Sequence, residues 1–213
     1  TILPLLELTE HSLQSTGHPP EHKAVQELLG SIGQDTIHIG DNLIRFDRAE
    51  TRITLDGIAK GFIVDQAASV LKRHSVDAAM INAGGDIRVL GSKQGRPWHI
   101  GIQDPSDRHT HVQTLALTDM AVATSGSYEN FFDPLMRHHH LVESNGEGSP
   151  RRVVSATAVA PSAMMADGLS TTFFLLPPKQ AVALASSLNS VEASIITVGG
   201  RGFSSDNWSS IRA

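Results

Sequence analysis

From Ala78 to Ala123 the chain is cut into short apolar runs by glycine and polar turns. The runs are Ala78-Ala79-Met80-Ile81-Asn82, Asp86-Ile87-Arg88-Val89-Leu90, Trp98-His99-Ile100-Gly101-Ile102 and the stretch from Val112 to Ala123. Parted by glycine turns, they read as strands. Strands that follow one another through tight turns pair as hairpins, which points away from a strict βαβ repeat. The same texture returns at Thr36-Ile37-His38-Ile39 and Leu43-Ile44-Arg45-Phe46, with the turn signal Gly40-Asp41-Asn42 between them. It returns again at Thr51-Arg52-Ile53-Thr54, from Arg152 to Ala160 and from Ala193 to Val198. Helices are expected from Ile2 to Gln14, and from Pro20 or Glu21 to Gly33 with Ala24, Leu28 and Ile32 in helical spacing. Another opens at Asp56, an N-cap residue type, and carries Ile63, Ala67, Val70 and Leu71 as its apolar stripe to about His74. A fourth starts at Pro161 and stops at Pro177-Pro178, and a fifth covers about Gln180 to Leu188. The reading is α+β, mainly antiparallel strands with packed helices, over residues 1–213 as one domain or one domain of two lobes.

Length and charge narrow the function classes. The 213 residues suffice for one generous domain. Seventeen Lys and Arg against 22 Asp and Glu leave a net charge of −5, and no basic run exceeds two residues, so no broad nucleic-acid surface is expected. No apolar stretch reaches the roughly eighteen residues that a spanning helix needs. Cysteine is absent, which excludes disulfides, thiolate metal sites and cysteine nucleophiles. The opening Thr1-Ile2-Leu3-Pro4-Leu5-Leu6 has no initiator Met, basic n-region or cleavage-like small residues, and reads as the middle of a longer chain.

Five clusters can carry chemistry. Leu55-Asp56-Gly57-Ile58-Ala59-Lys60-Gly61 sets two glycines around a lysine in the first turn of a helix. Free N–H groups there, with a Lys, suit a phosphate or pyrophosphate; the competing reading is a capped helix whose Gly61 allows close packing. Asn82-Ala83-Gly84-Gly85-Asp86 is a tight turn or a ligand-lining loop. On the helix after Pro161, Asp167, Ser170 and Thr171 share a face by i, i+3, i+4 spacing. One carboxylate and two hydroxyls, with phosphate oxygens, suffice for a hard cation such as Mg²⁺; otherwise the hydroxyls bond back to their own helix. His138-His139-His140, if a strand, turns His138 and His140 to one face and His139 to the other. A general base, a metal ligand and a polar edge all remain open for it. Ser125-Gly126, after the apolar strand at Ala121-Val122-Ala123, is a phosphate-contacting loop or a plain turn.

The order of these segments adds to what each says alone. Gly57-Ile58-Ala59-Lys60-Gly61-Phe62-Ile63-Val64-Asp65, Asn82-Ala83-Gly84-Gly85-Asp86-Ile87, Trp98-His99-Ile100-Gly101-Ile102-Gln103-Asp104-Pro105 and Ala121-Val122-Ala123-Thr124-Ser125-Gly126-Ser127-Tyr128-Glu129 closely resemble the ApbE family, the FAD:protein FMN transferases formerly described as thiamine-biosynthesis lipoproteins. So do His139-His140-Leu141 and Ala166-Asp167-Gly168-Leu169-Ser170-Thr171. The resemblance covers essentially the whole chain. Family members carry roughly a hundred further residues upstream, on the scale of a half-domain, and the chain resembles their C-terminal two-thirds.

That resemblance implies FAD as substrate, Mg²⁺ as cofactor, and transfer of the FMN moiety to a Thr or Ser hydroxyl of a partner flavoprotein with release of AMP. It implies a metal held by Asp167, Ser170, Thr171 and the backbone oxygen of Gly57. It implies nucleotide contacts at Lys60, Asn82, Gly84, Gly85, Ser125 and Gly126, and a general base at His140. The family's Asp-Leu-Gly-Gly-Ile-Ala-Lys-Gly is here Thr54-Leu55-Asp56-Gly57-Ile58-Ala59-Lys60-Gly61, so Thr54 stands where an FAD-contacting Asp is expected and Asp56 is acidic two positions later. Glu143-Ser144-Asn145-Gly146 replaces the family's Asp-Pro-Arg-Thr-Gly turn. A metal-dependent FAD pyrophosphatase and a non-catalytic flavin-binding module are the alternatives. By family analogy the location is the periplasmic face of the bacterial inner membrane, through an upstream lipid anchor, or the cytoplasm; no nucleic acid is implied.

Overall fold

The computed structural model describes residues 2–129, 131–133 and 137–213. It has two compact units, Thr1–Leu55 with Ser127–Arg151, and Asp56–Gly126 with Arg152–Ala213.

The first unit holds helices α1 (Leu3–Thr16) and α2 (His22–Leu29) and the hairpin of β1 (Ile37–Gly40) and β2 (Leu43–Phe46). Gly17 ends α1 by taking φ 73°, and its N–H closes on the Leu13 carbonyl. The second helix is shorter than its spacing predicts: it stops at Leu29, Val25 is its buried residue, and Ile32 lies beyond it. The β1–β2 register runs from Ile37 opposite Phe46 to Gly40 opposite Leu43, as the turn signal requires. Thr51-Arg52-Ile53-Thr54 forms no strand. Its only large apolar side chain, Ile53, is exposed, while Thr51 bonds Thr36 and Arg52 pairs with Glu7 at 2.5 Å. Side-chain ties hold this segment where no sheet edge receives it.

The second unit is built on a six-stranded antiparallel sheet, in the order β10-β9-β8-β7-β4-β3. Its strands are β3 (Ala79–Ala83), β4 (Asp86–Leu90), β7 (Ala121–Gly126), β8 (Val153–Ala160), β9 (Glu192–Thr197) and β10 (Gly202–Ser204). Between β4 and β7 the chain makes a separate hairpin, β5 (Trp98–Asp104) and β6 (Asp107–Leu117). Helices α3 (Asp56–Arg73), α4 (Ala163–Leu175) and α5 (Pro178–Ser187) complete the unit, with a short 3-10 turn at Trp208–Ile211. Two helices in succession join β8 to β9, so the two strands return antiparallel.

Alternation along β7 and β8 sorts the two faces of the sheet. Val122 and Val159 are register partners and join Val89, Ile100, Ile102, Leu115, Leu117 and Trp208 in one buried cluster. Ala121, Ala123, Ala158 and Ala160 lie opposite one another on the other face, fully buried. Small side chains there admit α4, whose Ala163, Ala166, Phe173 and Phe174 are also buried. Such a face is close-packed without large residues.

Three expectations need correcting. Pro161 precedes α4 and does not open it; Ser162 is the N-cap, with its side chain accepting the Met165 N–H at 3.2 Å. Asp56 is the first residue inside α3, where its charge favours the helix N-terminus, not an N-cap. The buried line of α3 is Gly61, Val64 and Ala68, while Ile63 and Val70 are 64% and 43% exposed. The helix is therefore rotated by about one residue from the expected stripe, because its smallest residue makes the closest packing contact. No helix among the described residues is long and apolar enough to cross a membrane.

Candidate active site

The site grows from the crossing of α3 and α4. At Gly61 a Cβ would lie 2.3 Å from the carbonyl oxygen of Ala163 and 2.7 Å from the Met164 Cα, so only glycine lets the two backbones touch. One turn further along α3, Asp65 accepts the N–H groups of Ala163 and Met164 at 2.8 and 2.9 Å, one on each carboxylate oxygen. These are two of the donors that the start of any helix leaves unpaired. The crossing brings Asp167 of α4 back onto α3, where its Oδ2 accepts the Gly61 N–H at 3.0 Å. In an α-helix that donor ordinarily serves the carbonyl four residues earlier, here Gly57. Gly168 faces the same spot: a Cβ on it would stand 4.0 Å from the Gly57 oxygen and 3.2 Å from Ile58.

A second carboxylate enters from the sheet. Asn82 opens the β3–β4 turn, accepting the Gly85 N–H on its side-chain oxygen at 2.9 Å. Gly84 and Gly85 both have positive φ, 62° and 101°, as a two-residue hairpin turn of this hand needs. Asp86 follows as the first residue of β4; it is 2% exposed and pairs with Lys60 Nζ at 2.9 Å. Its carboxyl is pushed up to about 6, first by burial and also by the negative charge of Asp167, against the downward pull of the Lys60 ammonium. Two carboxylates and one ammonium leave this cluster with one net negative charge.

A row of hydroxyls completes the arrangement. Ser125 near the end of β7 bonds Ser170 at 2.8 Å and Thr171 at 3.2 Å, and Ser170 also donates to the Asp167 carbonyl at 2.9 Å. Gly126 is the buried last residue of β7, opposite Ser155. Gly57, Lys60, Ser125, Asp167, Ser170 and Thr171 are thus gathered in one unit, with Asn82, Gly84 and Gly85 forming the turn that delivers Asp86. Two residues that sequence reasoning did not assign belong to the arrangement, Asp65 and Asp86. Both end motif segments already quoted, so an acid at the close of a glycine-containing segment was the available signal.

Thr54 and the histidines belong to the other unit. Thr54 lies half-buried in the irregular stretch before α3. The histidines form no strand; among them His139 makes a single antiparallel bridge, to Phe131. His139 is 3% exposed, its Nε2 faces the Pro150 carbonyl at 3.3 Å, its Nδ1 accepts the Leu141 N–H at 3.3 Å, and its backbone N–H bonds Ser149. The ring is a packed, hydrogen-bonded element of the loop. His140 is half-buried beside it, ring centroids 6.4 Å apart. Asn145 braces the turn that replaces the family pattern, donating to Glu143 at 3.2 Å and accepting the Glu147 N–H at 2.9 Å.

Burial holds His139 below the usual histidine range, against the opposing pull of the Pro150 carbonyl. The folded chain therefore keeps the ring neutral where the unfolded chain, with its ordinary value of 6.5, takes a proton. Stability from this group is complete above 6.5 and is lost as pH falls below it. Asp86 acts in the opposite sense, since the fold binds its proton first between about 6 and 3.8. The difference between parent and His139→Gln isolates the histidine: from pH 7.5 to 5.0 the urea midpoint of the parent should fall relative to that of the variant. A parent that gains stability relative to the variant on acidification would contradict a neutral buried ring.

Donor chemistry decides what the main cluster can hold. Among the described residues no group of three or more His, Cys, Asp or Glu is gathered to cage an ion. The oxygens of Asp167, Ser170, Thr171 and Gly57, under one net negative charge, fit a hard divalent cation that keeps waters and takes phosphate oxygens as further ligands. Nitrogen- and sulfur-preferring metals find no matching set there.

A family model described as the ApbE family matches residues 1–195. Over 157 residues the chain is 34% identical to the FAD:protein FMN transferase of Vibrio cholerae, covering 72% of this chain and 47% of that protein. It is 29% identical over 196 residues to the FAD:protein FMN transferase of Treponema pallidum, covering 83% and 54%. Its fold matches the crystal structure of the ApbE protein of Thermotoga maritima with a TM-score of 0.88 and 28% identity, over 100% of this chain and 71% of that one. The chain spans about half the length of the curated relatives it matches.

Proposed function

The chain belongs to the ApbE family, and from that premise we propose that it acts as an FAD:protein FMN transferase. In this reading the hydroxyl of a Thr or Ser on a partner flavoprotein attacks the FMN-side phosphorus of FAD. A new P–O bond joins FMN to the acceptor, the pyrophosphate P–O bond breaks, and AMP leaves. The observation that carries the reading is the oxygen cluster at the α3–α4 crossing, where Asp86, Asp167 and Lys60 together leave one net negative charge. Little covalent chemistry is asked of the protein in such a transfer; charge neutralisation and positioning do most of it.

Asp167, Ser170, Thr171 and the Gly57 carbonyl would hold Mg²⁺, which supplies charge neutralisation to the pyrophosphate when bound. Lys60 is the fifth residue of α3, just past its first turn, where its ammonium lies near the helix's positive end and favours nucleotide phosphate. Asp86 keeps that ammonium in place. The Asn82–Gly85 turn and Ser125-Gly126 border the nucleotide, Thr54 stands where the family has an FAD-contacting Asp, and Asp56 supplies an acid two positions later. His140 is the proposed base: a neutral imidazole accepts the acceptor's hydroxyl proton as the oxygen attacks.

Incubation with FAD, Mg²⁺ and an acceptor flavoprotein tests the assignment, with AMP followed by chromatography and flavin by in-gel fluorescence. AMP and a fluorescent acceptor together are expected. AMP with no labelled acceptor marks an FAD pyrophosphatase; neither product marks a non-catalytic flavin-binding module. The same assay reads the histidines. His140→Ala should abolish labelling while FAD binding persists. His139→Ala should act through stability instead, lowering the urea midpoint and leaving turnover per folded molecule nearly unchanged. Normal labelling by His140→Ala removes the base assignment.

A further inference from the structure

We propose that Asp65 is a positioning residue that sets the spacing between the two halves of the metal site. The inference rests on the reading of Gly57 and Asp167 as metal ligands. Those two groups sit on different helices, so their separation is only as fixed as the α3–α4 crossing. Gly61 lies midway on α3 between Gly57 and Asp65, about 6 Å from each at 1.5 Å per residue. On α4, Asp167 follows Ala163 by a similar distance. The crossing is therefore pinned at two points, the Asp65 carboxylate on the Ala163 and Met164 N–H groups and the Gly61 N–H on Asp167.

Helix α4 does not need Asp65 to begin. Ser162 already caps it, and Met164 is 41% exposed, within reach of water for its N–H. What Asp65 adds is a two-oxygen tie to another helix. Without it the Gly61–Asp167 bond is left, beside the close packing at Gly61, to resist sliding of α4 along α3, and that bond belongs to a metal ligand. Strain from any slip would fall directly on Asp167. Partners that orient ligands commonly change metal affinity by about ten- to a hundredfold.

The test separates holding the fold from holding the site. Asp65→Ala is combined with Ser162→Asp, which keeps a cap of equal strength and adds a stabilising negative charge at the helix N-terminus without restoring the tie. Mn²⁺ binding, the urea midpoint and the exchange rate of the Gly61 amide are measured on the full chain. Expected are a urea midpoint near the parental one, about tenfold weaker Mn²⁺ binding, and faster Gly61 exchange. Asp65→Asn, which keeps one acceptor oxygen, should fall between parent and double variant and stands in if the latter does not fold. Parental Mn²⁺ affinity and Gly61 exchange in these variants would overturn the proposal. A parent that binds no Mn²⁺ would instead sink the metal reading, and the Gly61 exchange rate then decides on Asp65 alone.

Discussion

Asp167→Asn should lower Mg²⁺-dependent AMP release from FAD by about a hundredfold or more, the scale on which losing one charge-stabilising group is felt in catalysis. Asn is nearly isosteric, and its side-chain oxygen can still accept the Gly61 N–H that Asp167 takes at 3.0 Å. Packing is therefore preserved while the charge goes. With it gone, Asp86 and Lys60 cancel, and the cluster no longer attracts a cation. Asp86 also loses the neighbouring charge that raises it, so its carboxyl should move back toward the ordinary range. Circular dichroism and the urea midpoint should stay close to the parent's. Asp167→Ala should lose as much activity and some stability too, because it leaves a gap at a side chain only 7% exposed. Parental metal dependence in Asp167→Asn would take this residue out of the site.

How much of this was legible in the sequence differs between the units. The longer strands of the larger sheet could be read locally: Gly84-Gly85 closes β3 on β4, and the alternation Ala121-Val122-Ala123 assigns faces along β7. What escaped depends on partners far along the chain. Strand β10 has three residues, too few to show a period, and it exists because Gly202, Phe203 and Ser204 pair with β9. Trp208 is buried through a bond from its indole to Gln113, 95 positions away. Thr51–Thr54 had a strand-like composition and no edge to join.

The site divides in the same way. Asp167, Ser170 and Thr171 were legible from helical spacing alone, because i, i+3, i+4 is a local relation. Lys60 was legible as a charge close to a helix start, although the helix begins at Asp56 and makes it the fifth residue. Asp65 and Asp86 were not, although both lay in quoted segments. Asp65 acts on N–H groups 98 and 99 positions downstream, and nothing in the spacing of α3 announces a second helix there. Asp86 opens a strand that holds the buried Val89 and Leu90, and nothing local marks it as reaching Lys60. The histidines show the converse error: period-two reasoning needs a strand, and this loop holds His139 by hydrogen bonds to Pro150 and Leu141 instead.

Gly61→Ala ties these threads together, because it should damage fold and site at once. A methyl at that position meets backbone on all three of its closest contacts, with the Ala163 oxygen at 2.3 Å, the Ala163 carbonyl carbon at 2.5 Å and the Met164 Cα at 2.7 Å. No side chain can rotate away to relieve it, so α3 and α4 must separate by about 1 Å or more to reach ordinary contact. Alanine's better helix propensity recovers only about 1 kcal/mol. Overpacking of this kind costs about 3 kcal/mol, with backbone contact placing it at the upper end of the usual range. Separation also lengthens both ties across the crossing, the Asp65 cap and the Gly61–Asp167 bond. Metal affinity should therefore fall in the molecules that remain folded, and it should fall further than in Asp65→Asn, where one tie survives. Gly57→Ala is the control on the same helix, since a Cβ there meets nothing within 4 Å and the fold should be unaffected. Urea unfolding with a Mn²⁺ titration on each variant checks the pair. If Gly61→Ala matched Gly57→Ala in stability, the close crossing of the two helices would be wrong, and the site built upon it would have to be redrawn.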